Sequence, residues 1–215
     1  MKSFVTYPLE FQPILFPSKL QASTSGKLIA HFELFKKIAH LNGAIIKCGV
    51  TVEEGFARFS TFKKLAVQAI EQKMIAFQKL QSVFEEEVSE YGAITLKVKG
   101  TPVLAEHIEE TLSKKGLSEE VDFIPGLVCE SIPEYLIEKP ELKIALLNID
   151  LDDYNGTMTS LEFLYPRLMP QGILIIDNYY KGLSEYEAIN DFFHPRKIQI
   201  NNFSVSKGPH YIIKN

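Results

Sequence analysis

Two apolar stretches of strand length, residues 146–149 and 172–176, each run directly into polar acid-bearing segments. Asp150, Asp152 and Asp153 follow the first; Asp177 and Asn178 follow the second. Between them, Met158, Leu161, Tyr165 and Leu168 recur at the spacing of one helix face. Strand, helix, strand is a βαβ unit, so the two strands should be parallel neighbours. Their acidic tips then share one edge of a sheet, and ligands of open α/β sheets bind outside that edge.

The rest of the chain repeats the pattern. Leu28, Phe32, Phe35 and Ala39 mark a helix that starts near Lys27 and stops near Asn42-Gly43. Residues 44–50 read as a first strand, 53–71 as turn and helix, and 74–77 as a short second strand. Glu85, Glu86 and Glu87 read as a solvated helix face, while Ile94, Leu96 and Val98 alternate as in a strand. A helix is expected over 104–115, a strand over 121–124, and a helix over 131–138 with Ser131 and Glu134 as a capping box. A helix over 185–193 and strands at 197–200 and 211–213 close the chain. The order predicts a doubly wound, mostly parallel α/β sheet with an antiparallel edge. Residues 1–26, with Pro8, Pro13 and Pro17 and a closing Ser-Thr-Ser-Gly cluster (23–26), read as an N-terminal arm that crosses other parts of the protein or covers a pocket, and 27–215 as a single domain.

Composition narrows the function classes. A net charge of −4 over 215 residues carries no nucleic-acid footprint. No apolar run has membrane-spanning length, and prolines break any signal-peptide core, so a cytoplasmic protein is expected. Cys48 and Cys129 lie in apolar runs and read as buried free thiols. His31, beside the first helix stripe, reads as a packed histidine without an identifiable partner.

The run Asn148-Ile149-Asp150-Leu151-Asp152-Asp153-Tyr154-Asn155-Gly156-Thr157, then Leu164-Tyr165-Pro166 and Gly172-Ile173-Leu174-Ile175-Ile176-Asp177-Asn178-Tyr179, resembles the macrocin O-methyltransferase-like family. Cys48-Gly49-Val50, Arg58-Phe59-Ser60-Thr61-Phe62, Ser131-Ile132-Pro133 and Tyr211-Ile212-Ile213-Lys214 extend the resemblance to about residues 27–214. It implies a class I methyltransferase (Rossmann-like) fold, S-adenosylmethionine as cofactor, and a small-molecule acceptor with a sugar or sugar-like hydroxyl. The chain departs from the family pattern at several positions. Lys47 replaces a glutamate before Gly49, Glu53 and Glu54 stand in the small-residue turn, Gln78 replaces an acid at the second strand end, and Leu127 and Asn178 each replace an aspartate.

The resemblance implies that Mg²⁺ or another divalent cation is held by Asp150, Asp177 and Asn178, with Asp152 as general base. It implies cofactor contacts at Lys47, Gly49, Gln78 and Asp150. Lys47 is expected to turn away and pair with Glu53 or Glu54. Asp153 and Asn155 read as turn or helix-cap residues. The rival reading is a degenerate methyltransferase fold serving as a binding or scaffold subunit; a third is an enzyme using another nucleotide-like ligand. A homo-oligomer is compatible with either of the first two.

Overall fold

The computed structural model describes residues 22–49, 52–66, 72–79, 83–88, 94–99, 121–196, 198–203 and 208–215, with backbone only at 22–25, 52–57, 78, 79, 83–88 and 94–99. The elements are α1 (Ala22–Ile38), β1 (Ala44–Gly49), α2 (Val52–Leu65), β2 (Met74–Lys79), β3 (Val83–Val88) and β4 (Ile94–Lys99). They continue with β5 (Val121–Gly126), α3 (Val128–Glu138), β6 (Ile144–Asp150), α4 (Tyr154–Leu164), β7 (Leu168–Ile176), α5 (Ser184–Phe193), β8 (Asn201–Asn202) and β9 (His210–Ile213). One sheet of seven strands has the order β5-β2-β1-β6-β7-β9-β8; β3 and β4 form a separate antiparallel pair. Strands β5, β2, β1, β6 and β7 are parallel, and β9 runs antiparallel to β7. The expected doubly wound sheet with an antiparallel edge is present.

The strands bury both faces, as central parallel strands do. Ile46, Cys48, Leu147, Ile149, Leu174 and Ile176 face α3, α4 and α5 through Ile132, Leu136, Leu161, Leu164 and Ile189. Ile45, Leu146, Ile173 and Ile175 face α1 and α2 through Leu34, Phe35, Ile38, Phe59 and Phe62. Strand side chains alternate with period two. Lys47, Asn148, Asp150 and Asp177 therefore continue the second set, onto the α1 side of the sheet.

Several local expectations are corrected. Helix α1 begins at Ala22, so Ser23, Thr24, Ser25 and Gly26, expected in the arm, are helical; residues 1–21 lie outside the described residues. It ends at Ile38 rather than near Asn42, because the buried Gln72 amide donates to the carbonyls of Ile38 (3.0 Å) and Leu41 (2.6 Å). Residues 85–87 lie in a strand, where pairing with β4 satisfies the backbone and sets Glu85 across from Lys97. Helix α3 starts at Val128, with Leu127 at the cap and Ser131 buried inside it. The stripe Val128, Ile132, Leu136 that packs on the sheet extends the helix past the apparent capping box. Cys129 is exposed; only Cys48 is buried, and burial pushes its thiol up to about 12. Leu168 belongs to β7, not to the preceding helix. Ile198 and Ile200 pack on the core, but the strand is confined to Asn201–Asn202. The helix expected over 104–115 lies outside the described residues.

The closing Lys214 ties the chain end to the segment between α4 and β7. Its ammonium donates to the carbonyls of Tyr165 (3.1 Å), Pro166 (2.9 Å) and Leu168 (2.6 Å).

Candidate active site

The parallel strands β1, β6 and β7 end side by side, with Gly49 in register with Asp150 and Lys47 with Asn148. Gly49 has φ +146°, and a Cβ there would stand 2.1 Å from the Asp150 carbonyl oxygen. Only glycine allows this close approach.

Asn148 is fully buried at the centre of a polar network. Its Oδ1 accepts from Lys47 Nζ (3.4 Å) and its Nδ2 donates to Asp177 Oδ2 (3.1 Å). Lys47 Nζ also donates to Asp150 Oδ2 at 3.0 Å, with the lysine side chain 3% exposed and that of Asp150 19%. A buried ammonium requires such partners. Asp177 Oδ1 receives Lys27 Nζ (3.1 Å) and His31 Nε2 (3.2 Å), which stand one turn apart on α1. Asn178 Nδ2 donates to Asp150 Oδ1 (2.9 Å) and Asp152 Oδ1 (2.7 Å).

His31 has a defined tautomer. Arg58 lies 3.0 Å from Nδ1 and can only donate, so Nδ1 accepts and Nε2–H points to Asp177. Burial, chiefly, lowers the His31 pKa, and its ring stacks on Phe59 at 5.6 Å. Burial also opposes ionisation of Asp177, but the His31 hydrogen bond and the Lys27 and Lys47 charges outweigh it and hold the carboxyl well below the usual range.

A concavity lined by Asn42, Gly43, Gln72, Tyr135 and Leu142 lies at the opposite edge, below the amino ends of β1 and β6, and holds none of these groups. The sheet tip is the candidate site.

The family model for "Macrocin-O-methyltransferase (TylF)" matches residues 42–210, which include every strand of the sheet except the last residues of β9. The chain belongs to the macrocin-O-methyltransferase (TylF) family. It is 37% identical over 73 residues to the mycinamicin III 3''-O-methyltransferase of Micromonospora griseorubida, covering 34% of this chain and 27% of that protein. The matched stretch thus spans about a quarter of that relative's length. Among solved structures, it resembles CalS11, a TDP-rhamnose 3'-O-methyltransferase, with TM-score 0.71 and 18% identity over 96% of this chain and 86% of that one. It also resembles MycE in complex with Mg, SAH and mycinamycin VI, with TM-score 0.55 and 10% identity over 96% of this chain and 54% of that one. These likenesses establish the class I methyltransferase fold.

Within this TylF-family chain, the structure brings Lys47, Gly49, Asp150, Asp152 and Asn178 to one tip. Lys47 does not turn away: it pairs with Asp150. Asp152 does not continue the strand; its φ is +54° and it is exposed, so it comes beside Asp150 through Asn178 rather than through the strand's alternation. Asp177 is tied to α1. The side chains of Gln78, Glu53 and Glu54 lie outside the described residues. Asp153 caps α4, accepting from Gly156 N at 2.6 Å.

Sequence reasoning assigned no role to Lys27, Arg58 or Asn148, and it left His31 without a partner. It also missed Glu185, fully buried in the first turn of α5. Glu185 accepts from the backbone N–H of Leu151 (3.2 Å) and Asn178 (3.3 Å), joining the two tip loops. Its only sequence signal was an acid near a helix start. Burial pushes its carboxyl up to about 7.

This shift has a defined pH consequence. The folded state retains a proton that an unfolded glutamate, with pKa about 4.3, has released. Stability therefore falls as pH rises between about 4.3 and 7. His31 acts in the opposite sense, because its folded-state pKa lies below the unfolded one. Denaturant titrations of wild type and Glu185→Gln across this range should differ in slope by up to about 1.4 kcal/mol per pH unit. Parallel curves would show that Glu185 ionises in the folded tip just as it does in the unfolded chain.

Proposed function

We propose that this chain is an S-adenosylmethionine-dependent O-methyltransferase acting on a sugar or sugar-like hydroxyl. The observation that carries the reading is the carboxylate-bearing tip of Asp150 and Asp152 beside the Gly49 bend, in a chain of this family. The cofactor fits: the β1 tip carries no side chain at Gly49, and Asp150 stands in register with it. S-adenosylmethionine supplies an electrophilic methyl whose C–S bond breaks as the new C–O bond forms. Gly49 and Asp150 would border the cofactor. Asp152 accepts the hydroxyl proton; it is exposed, and Asn178 fixes one of its oxygens at 2.7 Å. Holding the base in place lowers the entropic part of the barrier.

The divalent cation implied by the resemblance does not fit the donors as they stand. Both oxygens of Asp177 are engaged by Lys27, His31 and Asn148, Asp150 carries the Lys47 ammonium, and Asn178 presents N–H groups to Asp150 and Asp152. Mg²⁺ requires oxygen acceptors in near-octahedral array. No step is therefore assigned to a metal.

The non-catalytic reading is favoured by one observation, a lysine on the cofactor side where the family pattern has a glutamate. Its charge is balanced by Asp150, which removes the repulsion expected between a bare ammonium and a cationic cofactor. Calorimetry with S-adenosylmethionine and transfer of a labelled methyl to a panel of nucleotide-activated deoxysugars separate the readings. Asp152→Asn should retain cofactor affinity and lower transfer by about a hundredfold or more, the scale of general-base catalysis. Absence of cofactor binding by the wild type would leave the scaffold reading.

A further inference from the structure

We propose that Lys47 is the internal cation of the acidic tip, and that with Lys27 it takes the charge-balancing place a divalent ion would fill. The inference concerns the apoprotein's charge balance and stands whether or not methyl transfer is confirmed. It begins with the pleat. Lys47, Asn148, Asp150 and Asp177 fall on one face of three adjacent strands, so their side chains meet above the sheet. From β1, Lys47 reaches past its register partner Asn148 to Asp150, two residues further along β6. Its side chain is 3% exposed. An ammonium so placed is strongly desolvated, and the facing carboxylate offsets that cost.

The network then closes. Lys47 neutralises Asp150, and Lys27 neutralises Asp177. Asn148 links the two pairs, accepting from Lys47 and donating to Asp177. His31 is held neutral, with Arg58 at Nδ1, and adds a hydrogen bond rather than a charge. Among the described residues no ammonium stands against Asp152; its neighbour is the Asn178 amide. Hard divalent ions are drawn to gathered, uncompensated carboxylates. Here the two carboxylates that stand on the sheet are already compensated, and a second cation between them would meet two ammonium groups.

Manganese titration of the purified protein, followed by electron paramagnetic resonance, tests this without any turnover assay. The wild type should show no saturable site at micromolar Mn²⁺, and Mg²⁺ should leave its melting temperature unchanged. Lys47→Met removes the charge while keeping an apolar stem. It should gain saturable Mn²⁺ binding, at least tenfold tighter than wild type, and a melting temperature that rises with added Mg²⁺. Lys47→Arg should behave as wild type, and Lys47→Met combined with Asp150→Asn should lose the gained site. Lys27→Met, at a side chain one-third exposed and therefore less disruptive, should gain binding in the same direction through Asp177. Saturable micromolar binding by the wild type would overturn the proposal, as would folded Lys47→Met and Lys27→Met proteins that gain no binding. Loss of S-adenosylmethionine binding with these metal results unchanged would instead count against the methyltransferase reading.

Discussion

Asp177→Ala should lower the melting temperature by roughly 6–20 °C, from a loss of about 3–5 kcal/mol at about 2–4 °C per kcal/mol for a chain of this size. The loss has two parts. The Lys27 ammonium can return to solvent, because its side chain is one-third exposed, so its share is small. The buried Nε2–H of His31 and the buried amide of Asn148 cannot. Each loses its acceptor, and a buried donor left unpaired costs about 1–3 kcal/mol. The pH dependence gives an independent check. The folded carboxyl of Asp177 is held below its unfolded value, so its contribution is fully present above the unfolded pKa of about 3.9. It is lost as pH falls through the lower folded value. The gap between wild type and Asp177→Ala in denaturant titrations should therefore be constant at neutral pH and narrow only under strong acid. Equal stability at neutral pH would mean that α1 is not clamped to β7 through this carboxylate.

Lys47→Glu should destabilise the protein by about 3–5 kcal/mol or prevent folding, because it removes a buried partner and sets a carboxylate against Asp150. This substitution places the family's acid where this chain has lysine, so the family pattern alone would expect tighter cofactor binding. The structure leads to the opposite expectation, since the lysine and Asp150 form one unit. The reversed pair, Lys47→Glu with Asp150→Lys, should recover part of the lost stability, and a double-mutant cycle should give a coupling of about 0.5–3 kcal/mol. Additive losses across the cycle would show that the two residues do not interact.

Membership in the TylF family and the acidic tip belong to the same stretch of chain. The residues that give the tip its chemistry come from farther away. His31 and Asp177 are 146 positions apart, and Lys47 and Asp150 are 103 apart. This separates what could be read locally from what could not.

The amino-acid sequence by itself determined the doubly wound sheet, the parallel pairing of β6 and β7, the cap at Asp153 and the placing of Asp150 and Asp177 at one edge. Each follows from a period of two or 3.6 residues, or from a turn residue acting on its immediate neighbours. Even there, burial overrode local signals: the stripe Val128, Ile132, Leu136 carried α3 past Ser131, and pairing with β4 drew Glu85, Glu86 and Glu87 into a strand. Only the tertiary structure decided which charges meet. Strand order placed β1 beside β6, register set Lys47 beside Asn148, and the docking of α1 brought Lys27 and His31 over Asp177. A side chain's period names the face it occupies, but its partner on that face is set by how distant strands and helices are brought together, and that information is not local to any stretch of the chain.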